Sequence, residues 1–416
     1  MNILFLDRFL GGHDGVGIYI YNALAELLRL GHRVGLVYGK QVGDYIPEGV
    51  ERFCLEDLHL DWIGRPKNRR ALERVLDQFS PDVASAQCLD VYWFAEMVAR
   101  RCPLIAYPLT HAATCPNWTR FYEKDRRVCT LDFGPACAWH TYADQCGPKN
   151  PALLAKNMLR VAANRVTLRH FDAIQAANGY MRGTLEKAGV PREKIFELPP
   201  YAPFFDEARE YTPPPARSAP LILFVGRLHP TKGPDLVLEA CARLRVPFEL
   251  AFVGGGPMAR ELESLAERLG LRDRCRFYIT GVEAQNAQAS PSAKRISREE
   301  MSALYAESSA VLFTSIWGEP FGIVRVEGMA HGRPVIAFDA GGSACDVSDG
   351  ENGFVLAPLD VAGLAARLER LLTEPALVER MGRAALQYIR ANYHPKRLTE
   401  RLVAEFTRLR GLRAQS

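Results

Sequence analysis

Two carboxylates, Glu319 and Glu327, stand eight positions apart in the segment SIWGEPFGIVRVEGMAHGRPVIAF (315–338). Paired acids suggest glycoside cleavage, in which the two carboxyls lie about 5–9.5 Å apart across one bond. Eight residues of helix rise about 12 Å, and Pro320 pushes Glu319 into extended backbone. Separate hydrogen-bonding roles therefore fit better, one acid on a sugar and one on a ribose. A helix starting near Phe321–Gly322 leaves its first amides free for phosphate oxygens. The bland alternative is a loop acid beside a surface-helix acid.

A second constellation is FVGRLHPTKGPD (224–235), where Arg227 and Lys232 follow an apolar run and precede a helical pattern. A guanidinium fork and a point ammonium at a strand's carboxyl end suit a diphosphate. Preorganised charge of this kind stabilises a departing nucleotide diphosphate without a metal. Solvated loop cations are the alternative. Near the start, GGHDGVG (11–17) is a glycine turn opening a helix, with Gly15 among the residues that bring backbone N–H groups to an anion. It lacks the GxGxxG spacing of dinucleotide folds, and no GxxxxGK[ST] loop occurs, so a nicotinamide dehydrogenase is disfavoured.

His111 follows the apolar run LIAYPLT, at a strand end where it could face a substrate or simply be a satisfied structural group. Beyond it, Cys115, Cys129, Cys137 and Cys146 fall within 32 residues. Their spacing suits a structural zinc site but lacks the CxxC pairs that mark one. Zinc, free thiols and disulfides all stay open. Segment 112–150 is expected to form part of an acceptor side.

These residues need a scaffold. ILFL (3–6), the glycine turn, a helix with Ile20, Leu24, Leu27 and Leu28 at helical spacing, Gly31, and the run Val34 to Tyr38 spell a βαβ unit. Apolar runs at 104–111, 171–177 and 194–200 extend it. The proline-rich stretch 201–220 reads as a linker, after which strands are expected at 221–228, 248–253, 276–280, 310–315 and 334–338. The reading is α/β, two doubly wound parallel-sheet domains facing across a cleft. Domains are expected at 1–203 and 204–394, followed by a C-terminal helix at 395–416. Segments 112–150 and 281–296 are expected to interrupt the alternation as irregular loops.

The chain has 416 residues, 48% hydrophobic and 24% charged, which suits a folded protein of two or three domains. Its net charge of +4 is a small remainder of 52 basic and 48 acidic groups, which argues against a nucleic-acid binder. Ten cysteines are too few for a disulfide scaffold. The start reads as a strand rather than a signal peptide, and no apolar stretch is long enough to span a membrane. A cytoplasmic protein is expected, with basic residues at Lys156, Arg160, Arg165 and Arg169 offering peripheral contact with a membrane's inner face.

Glu319 and Glu327, with Pro320-Phe321-Gly322 between them, resemble the E-x7-E motif of retaining GT-B glycosyltransferases. FVGRLHPTKG resembles that family's donor phosphate loop, GVGIYIYNALAELLRLGHRV its first glycine loop and helix, and PVIAFDAGG…DGENGFVL its closing segment. The nearest subgroup is glycosyltransferase family 4 (group 1). The resemblance implies a retaining hexosyltransferase of polysaccharide biosynthesis, moving a hexosyl group from a nucleotide-diphosphate sugar to a glycan, lipid-linked or small-molecule hydroxyl, with no metal for catalysis. By it, Arg227, Lys232, Gly15 and the amides of Phe321, Gly322, Ile323 and Val324 hold the diphosphate. Glu319 contacts sugar hydroxyls, Glu327 the ribose, and His111 sits beside the transferred sugar. The resemblance also implies that domain 1–203 is the acceptor side, that domain 204–394 binds the nucleotide sugar and that the helix 395–416 crosses back to the first domain. The chain departs from the family at Asp14-Gly15, Glu327-Gly328 and Cys345-Asp346, which bears on nucleotide and sugar preference. The rival readings are a nucleotide-sugar 2-epimerase and a non-catalytic glycan-binding scaffold.

Overall fold

The computed structural model describes the chain except residues 12–14, 57, 59–60, 62, 88–92, 281–288 and 416. The expectations for Gly12, Asp14 and 281–288 therefore lie outside the described residues. The chain forms two compact units. One comprises Met1–Asp125, Cys129–Tyr201 and Pro395–Ser416; the other comprises Arg126–Val128 and Ala202–His394.

In the first unit seven parallel strands lie in the order Ile195–Glu197, Ala173–Ala176, Leu104–Tyr107, Val83–Gln87, Asn2–Leu6, Arg33–Tyr38 and Glu51–Cys54. The central strands are buried along their whole length, as apolar runs covered on both faces must be. Glu51–Cys54 is the exception. It alternates half-buried and exposed residues, the mark of an edge. The helix Gly15–Arg29 follows the first strand, and the 21-residue helix Pro395–Gln415 packs beside it. Tyr201 Oη and Thr399 Oγ1 share a buried 2.6 Å hydrogen bond there, and Arg401 donates to the Glu197 carbonyl at 2.8 Å.

The second unit repeats the plan. Its parallel strands run Lys294–Ile296, Cys275–Thr280, Glu249–Val253, Leu221–Val225, Ser308–Phe313, Val335–Phe338 and Gly353–Leu356. From Leu221–Val225 the chain winds to one side through three strands. It then returns to pair Ser308–Phe313 on the other side. The point where the winding reverses is where such sheets leave a crevice at their carboxyl ends. The loops that emerge there carry Arg227, Lys232 and Glu319.

Segment 281–296 is not wholly irregular. Lys294–Ile296 pairs with Tyr278–Thr280 as an edge strand, and Ser297 opens the helix Arg298–Glu307 through a reciprocal capping box with Glu300. Segment 112–150 also contains the helix Ala136–Ala143. Among the described residues no helix is long and apolar enough to cross a membrane.

Candidate active site in the second unit

The strand Leu221–Val225 ends at Gly226, and the chain turns through Arg227 to a short 3-10 turn, Pro230–Lys232. His229 opens that turn, its ring nitrogen accepting from the Thr231 amide at 3.3 Å. The loop is bound to the one after the neighbouring strand. Thr314 Oγ1 donates to the Lys232 carbonyl at 2.9 Å, and the Ile316 amide donates to the Thr231 carbonyl at 2.9 Å. Two adjacent strand ends are thus fixed as one rigid rim. The rim is electropositive: burial first, and then the Arg227 and Lys232 charges, hold His229 below the usual imidazole range.

Glu319 is 7% exposed and faces that rim. Its Oε2 forms an ion pair with Lys232 and accepts from Ser315 Oγ at 3.0 Å and Trp317 Nε1 at 2.8 Å. Burial by itself would raise this carboxyl. The Lys232 charge and the three donors outweigh it and hold Glu319 below its ordinary range, ionised. The Lys232 ammonium also lies 5.2 Å from the Trp317 ring and 5.7 Å from Phe313. Any anion held by Lys232 shares it with Glu319. The Glu319 backbone is pinned too, its carbonyl accepting from Gly342 at 2.7 Å. At Gly341 φ is +67°, and a Cβ would sit 2.6 Å from the Glu319 nitrogen, so only glycine lets the two segments meet.

Gly322, at φ +85°, turns the chain into the helix Ile323–Ala330. A Cβ there would lie 2.3 Å from Phe313 Cζ. The amides of the first turn have no acceptor within the helix. Phe321 and Gly322 are buried, Ile323 and Val324 half-buried, and Arg227 is exposed. One turn on, Glu327 is 5% exposed and accepts from Tyr305 Oη at 2.6 Å. Burial pushes Glu327 above the ordinary carboxylate range, against the Tyr305 hydrogen bond and the Arg298 charge. Tyr305 stacks on His331, ring centroids 5.1 Å apart and 15° from parallel. Burial lowers His331 to about 4, so it is neutral.

Sequence reasoning missed the group that fixes this helix. Arg325 is fully buried. Its Nε and Nη2 reach Asp346 Oδ2 at 3.0 and 2.5 Å, and Nη1 donates to the Gly322 carbonyl at 2.8 Å. Tyr388 and Tyr393 hydroxyls donate to the same carboxylate at 2.9 and 2.7 Å. Asp346 was visible only as a departure from the family pattern, and the tyrosines carried no signal. Ser315 and Trp317 could have been found, standing four and two positions before Glu319.

The remaining candidates are in the first unit. Gly15 opens the helix Gly15–Arg29. His111 is fully buried, its carbonyl accepting from the amides of Thr114 (2.9 Å) and Cys115 (2.8 Å), its ring 5.9 Å from Tyr180 edge-on. Cys115, Cys129, Cys137 and Cys146 are free thiols, which corrects the disulfide reading. Among the described residues no three His, Cys, Asp or Glu are disposed to hold a metal. The thiols turn to other partners. Cys129 Sγ donates to Tyr122 Oη at 3.2 Å, and Asn117 Nδ2 donates to Cys146 Sγ at 3.8 Å. Burial, with the other three cysteines adding, pushes Cys146 up to about 11.

Two family models cover most of the sequence: the family 4 glycosyltransferases over residues 13–200 and the group 1 glycosyl transferases over 213–388. The chain belongs to the group 1, family 4 glycosyltransferases. Its fold is GT-B. The structure of HepE from Anabaena, solved with UDP, superposes with a TM-score of 0.69 at 19% identity, covering 98% of this chain and 100% of that one. Sucrose-phosphate synthase from Thermosynechococcus elongatus superposes at 0.68 and 19% identity, over 100% and 99%. Among curated relatives, D-inositol 3-phosphate glycosyltransferase of Streptomyces avermitilis is 33% identical over 178 residues, 40% of this chain and 35% of that protein. The GDP-mannose-dependent alpha-(1-6)-phosphatidylinositol monomannoside mannosyltransferase of Mycolicibacterium smegmatis is 29% identical over 254 residues, 57% and 63%. The chain thus matches only about a third of the length of the first of these.

Proposed function

We propose that the protein is a retaining hexosyltransferase that takes its sugar from a nucleoside-diphosphate sugar and delivers it to a hydroxyl acceptor. The observation that carries this is the ionised, ion-paired Glu319 set between a cationic loop and a helix N-terminus at the reversal point of the second sheet. Arg227, Lys232 and the amides from Phe321 to Val324, with Gly15, hold the diphosphate. Their fixed positive charge stabilises the negative charge that builds on the leaving phosphate. Glu319 accepts from sugar hydroxyls, and Glu327, held by Tyr305, accepts from the ribose. His111 serves the transferred sugar.

In the reaction the bond from the anomeric carbon to the phosphate oxygen breaks. The acceptor oxygen bonds to the same face of that carbon, and its proton passes to the departing phosphate. No protein nucleophile is required, and no metal is assigned a part. Phosphate held by Lys232, which also pairs with Glu319, links donor binding to the orientation of the sugar-side carboxylate. A decayed binding scaffold has no reason to keep a buried charge pair, since removing one partner is costly and removing both is often neutral.

A thermal-shift screen against UDP, GDP, ADP and their sugar conjugates tests the reading. A ligand of the native state raises stability by about 2.7 kcal/mol at a hundred times its dissociation constant. We expect one base to shift the midpoint and the others not. Glu319→Ala should then reduce transfer at least ~100-fold while the nucleotide shift persists. Undiminished transfer in that variant refutes the assignment.

A further inference from the structure

The helix Pro151–Thr167 is turned inside out. Its buried residues are Leu154, Asn157, Arg160, Val161 and Asn164, three of five polar. Arg160 donates to the Pro116 carbonyl at 3.1 Å and covers the Trp118 ring at 3.6 Å, and Asn164 donates to the Ala112 carbonyl at 3.2 Å. The polar face is thereby spent on holding the segment after His111. The solvent face is Ala152, Ala155, Lys156, Leu159, Ala162, Ala163 and Val166, apolar but for one lysine. Leu159 is 64% exposed and Val166 55%. On the preceding helix Trp139, 72% exposed, and Tyr142 share a side at i, i+3 spacing.

Soluble monomers seldom leave so continuous an apolar face open. Its surroundings identify the occupant. From Phe133 to Phe171 there is one acid, Asp144, against Lys149, Lys156, Arg160, Arg165 and Arg169, and that acid is hydrogen-bonded to His140 at 2.5 Å. Lys149, Lys156 and Arg169 are exposed. An apolar helix face with exposed cations at and beyond its ends, and an exposed Trp–Tyr pair on the preceding helix, fits a bilayer interface with anionic headgroups. We propose that the protein docks on anionic membranes through the apolar face of Pro151–Thr167, with Trp139 and Tyr142 in the same contact. The inference stands independently of the glycosyl-transfer reading.

The test is flotation of the full chain with phosphatidylglycerol–phosphatidylcholine vesicles and with pure phosphatidylcholine. We expect binding to the anionic vesicles, reduced at least about tenfold by Leu159→Glu/Val166→Glu. Lys149→Glu/Lys156→Glu should weaken it at least about fivefold, the effect of losing one cation near a charged surface. These positions are exposed, so thermal midpoints should match the parent. Because a charged variant can still misfold, brominated lipid is a second readout: it should quench the parent's tryptophan emission, and Trp139→Phe should remove that quenching. Failure of the parent to float with anionic vesicles overturns the proposal, as do unchanged flotation of both double variants and quenching that Trp139→Phe leaves intact. So does a parent dimer in sedimentation that Leu159→Glu makes monomeric, which would show a second copy covering the face.

Discussion

Asp346→Ala should unfold the second unit far more readily, and the geometry sets the size of the effect. The Asp346 carboxylate accepts from Arg325 twice and from Tyr388 and Tyr393. Without it, the Arg325 guanidinium keeps, among the described residues, the Gly322 carbonyl at 2.8 Å and the face of Phe321 at 4.4 Å. Breaking a buried pair by removing one member costs about 3–5 kcal/mol, because a charge stays buried without its counterion. In a unit of this size each kcal/mol moves the midpoint by about 2–4 °C, so a fall of about 8–16 °C follows from 4 kcal/mol. Scanning calorimetry at pH 7 measures it. The sharper test is the double variant Arg325→Met/Asp346→Leu, which removes both charges and should lose less than Asp346→Ala alone. A midpoint for Asp346→Ala within about 2 °C of the parent, or a double variant as unstable as the two singles added, would refute the reasoning. Arg325 also holds the Gly322 carbonyl, so Asp346→Ala should weaken the nucleotide-induced thermal shift at temperatures where the unit is still folded.

Gly322→Ala puts a methyl group at φ +85° into Phe313; we expect about 1–3 kcal/mol of destabilisation and a smaller nucleotide shift, read by the same melts. His331 should shape the acid limb of stability. Its folded value, about 4, lies below the unfolded 6.5, so between these the unfolded chain takes up a proton that the folded one refuses. Stability is full above pH 6.5 and falls by about 3 kcal/mol toward pH 4; urea titrations of His331→Gln across that range should show a flatter profile, and an unchanged slope would count against it. Lys232→Met should raise the Glu319 carboxyl, because burial then acts with fewer opposing donors. A depressed carboxyl stabilises above its unfolded value and loses that contribution as pH falls through its folded one. With its folded value raised toward or above the unfolded one, the carboxyl no longer resists protonation, so the variant should be less stable than the parent near neutral pH and should lose less stability than the parent on acidification.

The alternation of apolar runs and glycine turns made both sheets legible, because a strand buried on two faces must be apolar throughout. Leu221–Val225, Glu249–Val253 and Val335–Phe338 all answer to such runs. Two of the edges did not show. Glu51–Cys54 and Lys294–Ile296 are polar because an edge needs cover from water rather than from helices, and a polar triplet reads as loop. Glu319 and Lys232 were each legible as charged residues at strand ends, but not as a pair, since 87 positions separate them and only the reversal of winding brings their loops together. Tyr305 and the Asp346 cluster were hidden for the same reason. Each hydrogen bond joins elements that no local period relates.

The helix Pro151–Thr167 shows a different limit. Its periodicity states which residues share a face, and that much is in the sequence. Which face turns inward depends on what the neighbouring segment needs. Here the neighbour is the irregular stretch after His111, whose carbonyls at Ala112, Ala113 and Pro116 have no strand or helix to satisfy them. Unpaired buried carbonyls cost more than exposed alanines and leucines gain by turning in. The polar face is therefore drawn to the protein, and the apolar face is left outside. Arg160 and Asn164 consequently serve the structure rather than a surface charge, and Arg160, 9% exposed, is withdrawn from any contact with lipid. Arg160→Ala should destabilise the first unit through the lost Pro116 bond and the Trp118 stack. Lys156→Ala, at an exposed position on the opposite face, should leave the melting profile unchanged.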